Sequence, residues 1–147
     1  MKAPFLRQFL SLGPVGDWPV SGMWGSMAGG ALAWILPSAW LPVGFCLASL
    51  AGISLCRYAV CFSKDDDPSW FIWDEVCGMM LAVIWLPKDL FSYFIAYLYF
   101  RLFDAAKIWP VNWVEKKSGT FSIMWDDLAA GVMAGAATSI TLQLFFY

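Results

Sequence analysis

The sequence predicts an all-α fold, a polytopic membrane helical bundle of about four to five short transmembrane or partly re-entrant helices. Composition is the first reason: of 147 residues, 61% are hydrophobic and 14% charged, and the mean hydropathy is +0.65. A soluble domain of this length cannot bury so much apolar surface, so lipid must cover the remainder. The second reason is the stretch from Trp18 to Cys56, which holds no charged residue and is long enough for two passes at about 1.5 Å rise per residue. The third is the placement of the charges, which gather where apolar runs begin or end: Asp67 to Glu75, then Arg101, Asp104 and Lys107, then Asp126 and Asp127. The length fits one domain, residues 1–147, and a formal charge of -2 gives no reason to expect nucleic acid as a partner.

Taken in order, Met1 to Gly13 carries Lys2 and Arg7 around a short apolar run with no small-residue cleavage signal. Residues 1–21 therefore read as a retained interfacial segment rather than a signal peptide. Apolar helices are expected over Gly22 to Leu36, Leu41 to Phe62, Phe71 to Leu86, Leu90 to Asp104 and Asp127 to Phe146. Pro37 and Pro42 mark the turn between the first two. The first, third and fourth fall short of the roughly 20 residues of a full span, so some are expected to stop partway. Pro110 to Trp125 is the longest polar connection.

Gly131 and Gly135 have the small-xxx-small spacing of closely packed membrane helices, and Gly/Ala faces of this kind suggest a homo-oligomer. The chain has no His, and Cys46, Cys56, Cys61 and Cys77 include no CxxC pair, which speaks against a zinc site. These cysteines read as small buried hydrophobes in a reducing setting. With five crossings, Lys2, Arg7, Arg57, Lys64, Arg101, Lys107, Lys116 and Lys117 fall on one side and Lys88 on the other, so the crowded side is cytoplasmic. Trp18, Trp24, Trp70, Trp73, Trp109, Trp113 and Trp125 form an interfacial belt there, with Trp40 and Trp85 at the opposite face. The same topology collects the acids on the cytoplasmic side.

Acids in that position call for a chemical reason, because an ionised Asp at the centre of a membrane helix costs about 2.5–3.5 kcal/mol. Carboxylates are the natural ligands of Mg²⁺, a hard cation commonly bound by one or two of them together with phosphate oxygens. Arg101, Asp104 and Lys107 stand three residues apart and spread over about 120° of one helical face, where a metal ligand is flanked by two phosphate donors. The same spacing is that of a surface ion pair beside an interfacial Lys. Asp126 and Asp127, at the expected start of a helix, suit capping and the helix dipole as well as a metal. Gly22-Met23-Trp24-Gly25-Ser26 offers backbone N–H groups, little bulk and a hydroxyl, a pattern that cradles phosphate or simply marks a turn.

Three ordered motifs narrow these alternatives. Asp67-Pro68 precedes Ile72-Trp73-Asp74-Glu75-Val76-Cys77-Gly78; Phe100-Arg101 is followed by Asp104, Lys107 and Pro110; and Asp126-Asp127 precedes Ala130-Gly131. From about Gly13 to Gly135 the chain resembles the phosphatidylglycerophosphatase A family of membrane lipid phosphatases. Departures from the family pattern include Met23, where the first segment usually has Thr, and Ile108, where Pro usually follows the Lys.

The resemblance implies a membrane-embedded phosphatase domain in a bacterial-type inner membrane, with its active site facing the cytoplasm. It would act in phospholipid biosynthesis by Mg²⁺-dependent hydrolysis of the terminal phosphomonoester of phosphatidylglycerophosphate, yielding phosphatidylglycerol. Catalysis would fall to Asp74, Glu75, Asp104 and Asp127, and metal binding to a subset of Asp67, Asp74, Glu75, Asp104, Asp126 and Asp127. Arg101, Lys107 and Ser26 would bind the substrate phosphates. One or two metals, and attack by water or by a carboxylate, remain open on sequence.

The alternatives are another phospholipid-headgroup phosphatase or phosphotransferase, and a small transporter or non-enzymatic membrane protein. A phosphohistidine route lacks its His, and no Cys stands five residues before an Arg as a thiolate phosphatase requires. The run Asp65-Asp66-Asp67-Pro68-Ser69 imitates an aspartyl-phosphate signature whose soluble α/β fold this chain has no room to build.

Overall fold

The computed structural model describes residues 7–9, 11–63, 70–106 and 122–146. Among them the regular elements are all helical. A 3-10 turn at Val15–Asp17 leads into α1 (Ser21–Ile35), α2 (Leu41–Ser63), α3 (Trp73–Val83), α4 (Leu90–Ala106) and α5 (Ser122–Phe146). The expected helices match closely except for the last. α5 begins at Ser122 rather than Asp127, so Asp126 and Asp127 lie in its second turn, beyond the first four amides that a cap would serve. Their capping role is thereby corrected, and the end of the connection expected up to Trp125 is helical. Asp67 and Lys107 lie outside the described residues.

Prolines and one cap set the helix ends. The Pro37 carbonyl accepts the N–H groups of Trp40 (2.8 Å) and Leu41 (3.1 Å), folding the chain from α1 into α2. Pro42 falls in the first turn of α2, where a missing N–H costs nothing. After α3 the backbone tightens, with Ile84 N–H on Leu81 O and Leu86 N–H on Val83 O, and Pro87 stops it from continuing. Asp89 then caps α4: its carboxylate accepts the Ser92 N–H at 2.8 Å and the Ser92 hydroxyl at 2.6 Å.

α3 is the centre of the bundle, packed against α1, α2, α4 and α5. Trp73, Val76, Cys77, Met79, Met80, Ala82 and Val83 are all buried, so this helix is apolar around its circumference because protein surrounds it, with no need of lipid. Its approach to α5 is a backbone contact. A Cβ on Gly131 would collide with the Gly78 carbonyl, and one on Gly78 would lie 2.6 Å from the Phe100 ring and 2.7 Å from the Asp127 carbonyl. Gly131 and Gly135, expected to serve helix packing, do so within the chain, Gly135 meeting Ala82 and Trp85.

Two further expectations change. Trp73, assigned to the interfacial belt, is a core residue whose indole Nε1–H donates to Ala48 O at 2.9 Å, tying α3 to α2. Cys56 and Cys77 are buried as expected, whereas Cys46 is exposed. Among the described helices only α5, over Met124–Phe145, is long and apolar enough to cross a membrane; Leu41–Cys56 is a shorter apolar stretch. Helix length therefore does not establish the polytopic arrangement. The outer faces nevertheless carry exposed Leu47, Leu50, Phe94, Leu98, Ile140 and Leu144, while Trp18, Trp24 and Trp125 are exposed near the acidic end and Trp40 and Trp85 near the other.

Candidate active site

At one end of the bundle α1, α3 and α5 begin and α4 finishes, and the charged motifs meet there. Asp74 and Glu75 occupy the first turn of α3, where the helix dipole favours negative charge. Asp74 Oδ1 accepts the Glu75 N–H at 3.0 Å. Across the Gly78–Gly131 contact, α5 brings up Asp127. One carboxylate oxygen each from Asp74, Glu75 and Asp127 lies within 4.8 Å of the others. Asp74 and Asp127 are only 6% and 5% exposed.

Two oxygens of this group, Glu75 Oε2 and Asp127 Oδ2, are buried with no hydrogen-bond partner. An unsatisfied buried polar atom ordinarily costs about 1–3 kcal/mol and more when charged. At such separations two ionised carboxylates also repel by on the order of 3–4 kcal/mol even at an effective dielectric of about 20. The arrangement calls for positive charge, and all-oxygen donors in a tight group suit a hard divalent cation such as Mg²⁺.

Beside the three acids, Arg101 Nη1 donates to Asp104 Oδ2 at 2.7 Å and, at a long 3.5 Å, to Ser26 Oγ. Asp104 is near enough for its charge to act on both Glu75 and Asp127. Ser26 gives its own proton to Gly22 O at 2.7 Å, so in this arrangement it serves Arg101 as an acceptor rather than presenting a free O–H. Gly22 is the clearance that lets these groups meet. A Cβ there would lie 2.6 Å from Glu75 Oε1 and 3.3 Å from Arg101 Nη1.

The structure therefore brings together Asp74, Glu75 and Asp127, with Asp104, Arg101 and Ser26 around them. Asp126 stands apart from the three: it is partly exposed, is turned about 100° from Asp127, and accepts the Asp127 N–H at 3.2 Å. The sequence reading missed the specific tasks of Gly22 and Trp73. Both sat within quoted motifs, but a glycine does not say which side chain it makes room for, and a tryptophan beside two acids looks interfacial until a helix covers it.

Comparison with known proteins agrees with the motif reading. The profile of the phosphatidylglycerophosphatase A family matches residues 8–142. Phosphatidylglycerophosphatase A of Escherichia coli (strain K12) is 31% identical over 105 residues, covering 70% of this chain and 59% of that protein. The Haemophilus influenzae phosphatidylglycerophosphatase A is 30% identical over 122 residues, 79% of this chain and 75% of its own length. No solved structure matches.

Proposed function

The chain belongs to the phosphatidylglycerophosphatase A family, and from that premise we propose that it hydrolyses the terminal phosphomonoester of phosphatidylglycerophosphate to phosphatidylglycerol and phosphate. The observation that carries this reading is the buried group of Asp74, Glu75 and Asp127 with its two unpartnered oxygens, set beside Arg101. Asp74, Glu75 and Asp127 would hold Mg²⁺, which when bound supplies positive charge to the phosphoryl oxygens during transfer. Arg101 presents a planar guanidinium to the departing phosphate, and Asp104 keeps that guanidinium aimed. A carboxylate oxygen of Glu75 or Asp127 that the metal leaves free would take the proton of an attacking water.

The remaining parts of the proposal follow from the charge pattern and the apolar outer faces. The protein is a single membrane domain that crosses the bilayer more than once, with the acidic end in the cytoplasm, where the Lys/Arg residues cluster. Phosphate release from phosphatidylglycerophosphate by purified protein, measured in excess chelator and after adding back Mg²⁺, tests the reading. Turnover should vanish with chelation and return with Mg²⁺; full turnover in metal-free enzyme contradicts it.

A further inference from the structure

The acidic site accounts for the headgroup and leaves an adjoining feature unused. A groove of about 370 Å³ runs between α1 and α4, floored by Met79 of α3. Its α1 wall includes Ser26, Gly30 and Trp34 and its α4 wall Tyr93 and Tyr97, positions spaced by one helical turn on each element. Tyr93 closes on Trp34 edge-to-face at 5.2 Å. Away from Ser26 the lining is apolar side chains and small residues. Met27 and Phe94 on its rim are 52% and 58% exposed, so the groove opens sideways, out of the bundle.

Ser26 belongs to both features. Ser26 lines the groove at its acidic end, and its Oγ accepts from Arg101, which is bound to Asp104. From Ser26 the groove follows α1 toward Trp34, about 12 Å at helical rise, away from the acids. A molecule with its phosphate at Arg101 would find this apolar groove beginning one side chain away, at Ser26, and leading toward the far end of the bundle. We propose that this groove seats an acyl chain of the phospholipid substrate, entering sideways from the bilayer while its headgroup reaches the acids. The proposal rests on the phosphatase reading for the nature of the headgroup; the continuity of groove and site carries the rest.

Gly30 offers the variant. A Cβ there would meet Met79 Cε at 3.6 Å and Cγ at 3.8 Å, ordinary contact, so a small side chain fits and a larger one fills the groove. Gly30→Leu is compared with Ala136→Leu, a substitution on the exposed outer face of α5. The readout is the ratio of kcat/KM for dipalmitoyl phosphatidylglycerophosphate to that for its deacylated headgroup. Gly30→Leu should lower the ratio by at least about tenfold, since a few excluded methylenes suffice for that, and Ala136→Leu should leave it unchanged. An unchanged ratio in Gly30→Leu overturns the proposal.

A second measurement needs no turnover. Phosphatidylglycerophosphate carrying a photoreactive diazirine in one acyl chain is cross-linked to the wild-type protein and the labelled residues are mapped. Labelling concentrated on the α1 and α4 walls, competed by unlabelled lipid, supports the groove even if phosphate release fails and the phosphatase reading falls. Labelling spread evenly over the exposed face of α5 overturns the groove while leaving any observed phosphatase activity intact.

Discussion

Where α3 finishes and α4 begins, Lys88 donates to the Leu36 carbonyl at 2.5 Å and Asp89 accepts two hydrogen bonds from Ser92. At the opposite end Asp74, Glu75 and Asp127 crowd together, and Glu75 Oε2 and Asp127 Oδ2 are buried without partners. Both ends carry charge beside apolar helices, yet at the second two carboxylate oxygens are left without a partner. The charges at the α3–α4 turn tie neighbouring segments together; those at the other end include two oxygens that, on the proposed function, a bound cation would meet. What separates the two ends is burial joined to the lack of a partner: Asp89 is exposed and bonded by Ser92, whereas Glu75 Oε2 and Asp127 Oδ2 are buried without a hydrogen-bond partner.

The sharpest way to break this comparison is to neutralise an acid at the unanswered end. Asp74→Asn keeps the shape and removes the charge, and kcat should fall by at least about a hundredfold, near 2.7 kcal/mol of barrier, with helical content unchanged. Phosphate-release kinetics with circular dichroism check it. Near-native turnover would place Asp74 with the structural acids.

Next in size is the contact that brings Asp127 to α3. Gly131→Ala forces a Cβ into the Gly78 carbonyl, and overpacking of this kind costs about 1–3 kcal/mol. A lowered thermal unfolding midpoint with a matching loss of activity is expected, because the same contact aligns the acids. Arg101→Lys should act more selectively. It keeps the charge but loses the planar guanidinium, whose Nη1 alone meets Asp104 and Ser26 and whose other N–H groups are left for phosphate, so KM for the lipid should rise by about tenfold while stability holds, as expected where planar recognition of phosphate is lost.

The smallest effect belongs to the satisfied end. Asp89→Ala removes a cap and should lower stability by about 1 kcal/mol with little change in turnover. The Ser92 hydroxyl and N–H hold the Asp89 carboxylate below its ordinary 3.8. With the folded value depressed, its stabilisation is complete above the unfolded value and is lost as pH falls below about 3.8 through the lower folded one. Thermal melts of wild type and Asp89→Ala should therefore converge in acid and diverge at neutral pH.

The sequence carried the helix order, because hydrophobic runs and the prolines at 37, 42 and 87 punctuate it. It also carried most of the site, since Asp74, Glu75, Arg101, Asp104 and Asp127 fall into ordered motifs. What it did not carry depends on what surrounds each helix. The short α3 reads like a shallow membrane segment, since an apolar circumference looks alike in lipid and among four helices, and Trp73 was misread for the same reason. Asp126 and Asp127 seemed equivalent as neighbours, yet the helical step of about 100° buries one among the acids and leaves the other partly exposed.

The central claim is that Asp74, Glu75 and Asp127 together hold a divalent cation. Mn²⁺ has a paramagnetic signal that broadens on binding, so titrating metal-free protein with it, without substrate, tests that claim directly. Wild type should bind Mn²⁺ in competition with Mg²⁺, and the Asp74→Asn/Asp127→Asn double variant should lose that binding while keeping its helical spectrum. Equal Mn²⁺ binding by the two proteins would contradict the account.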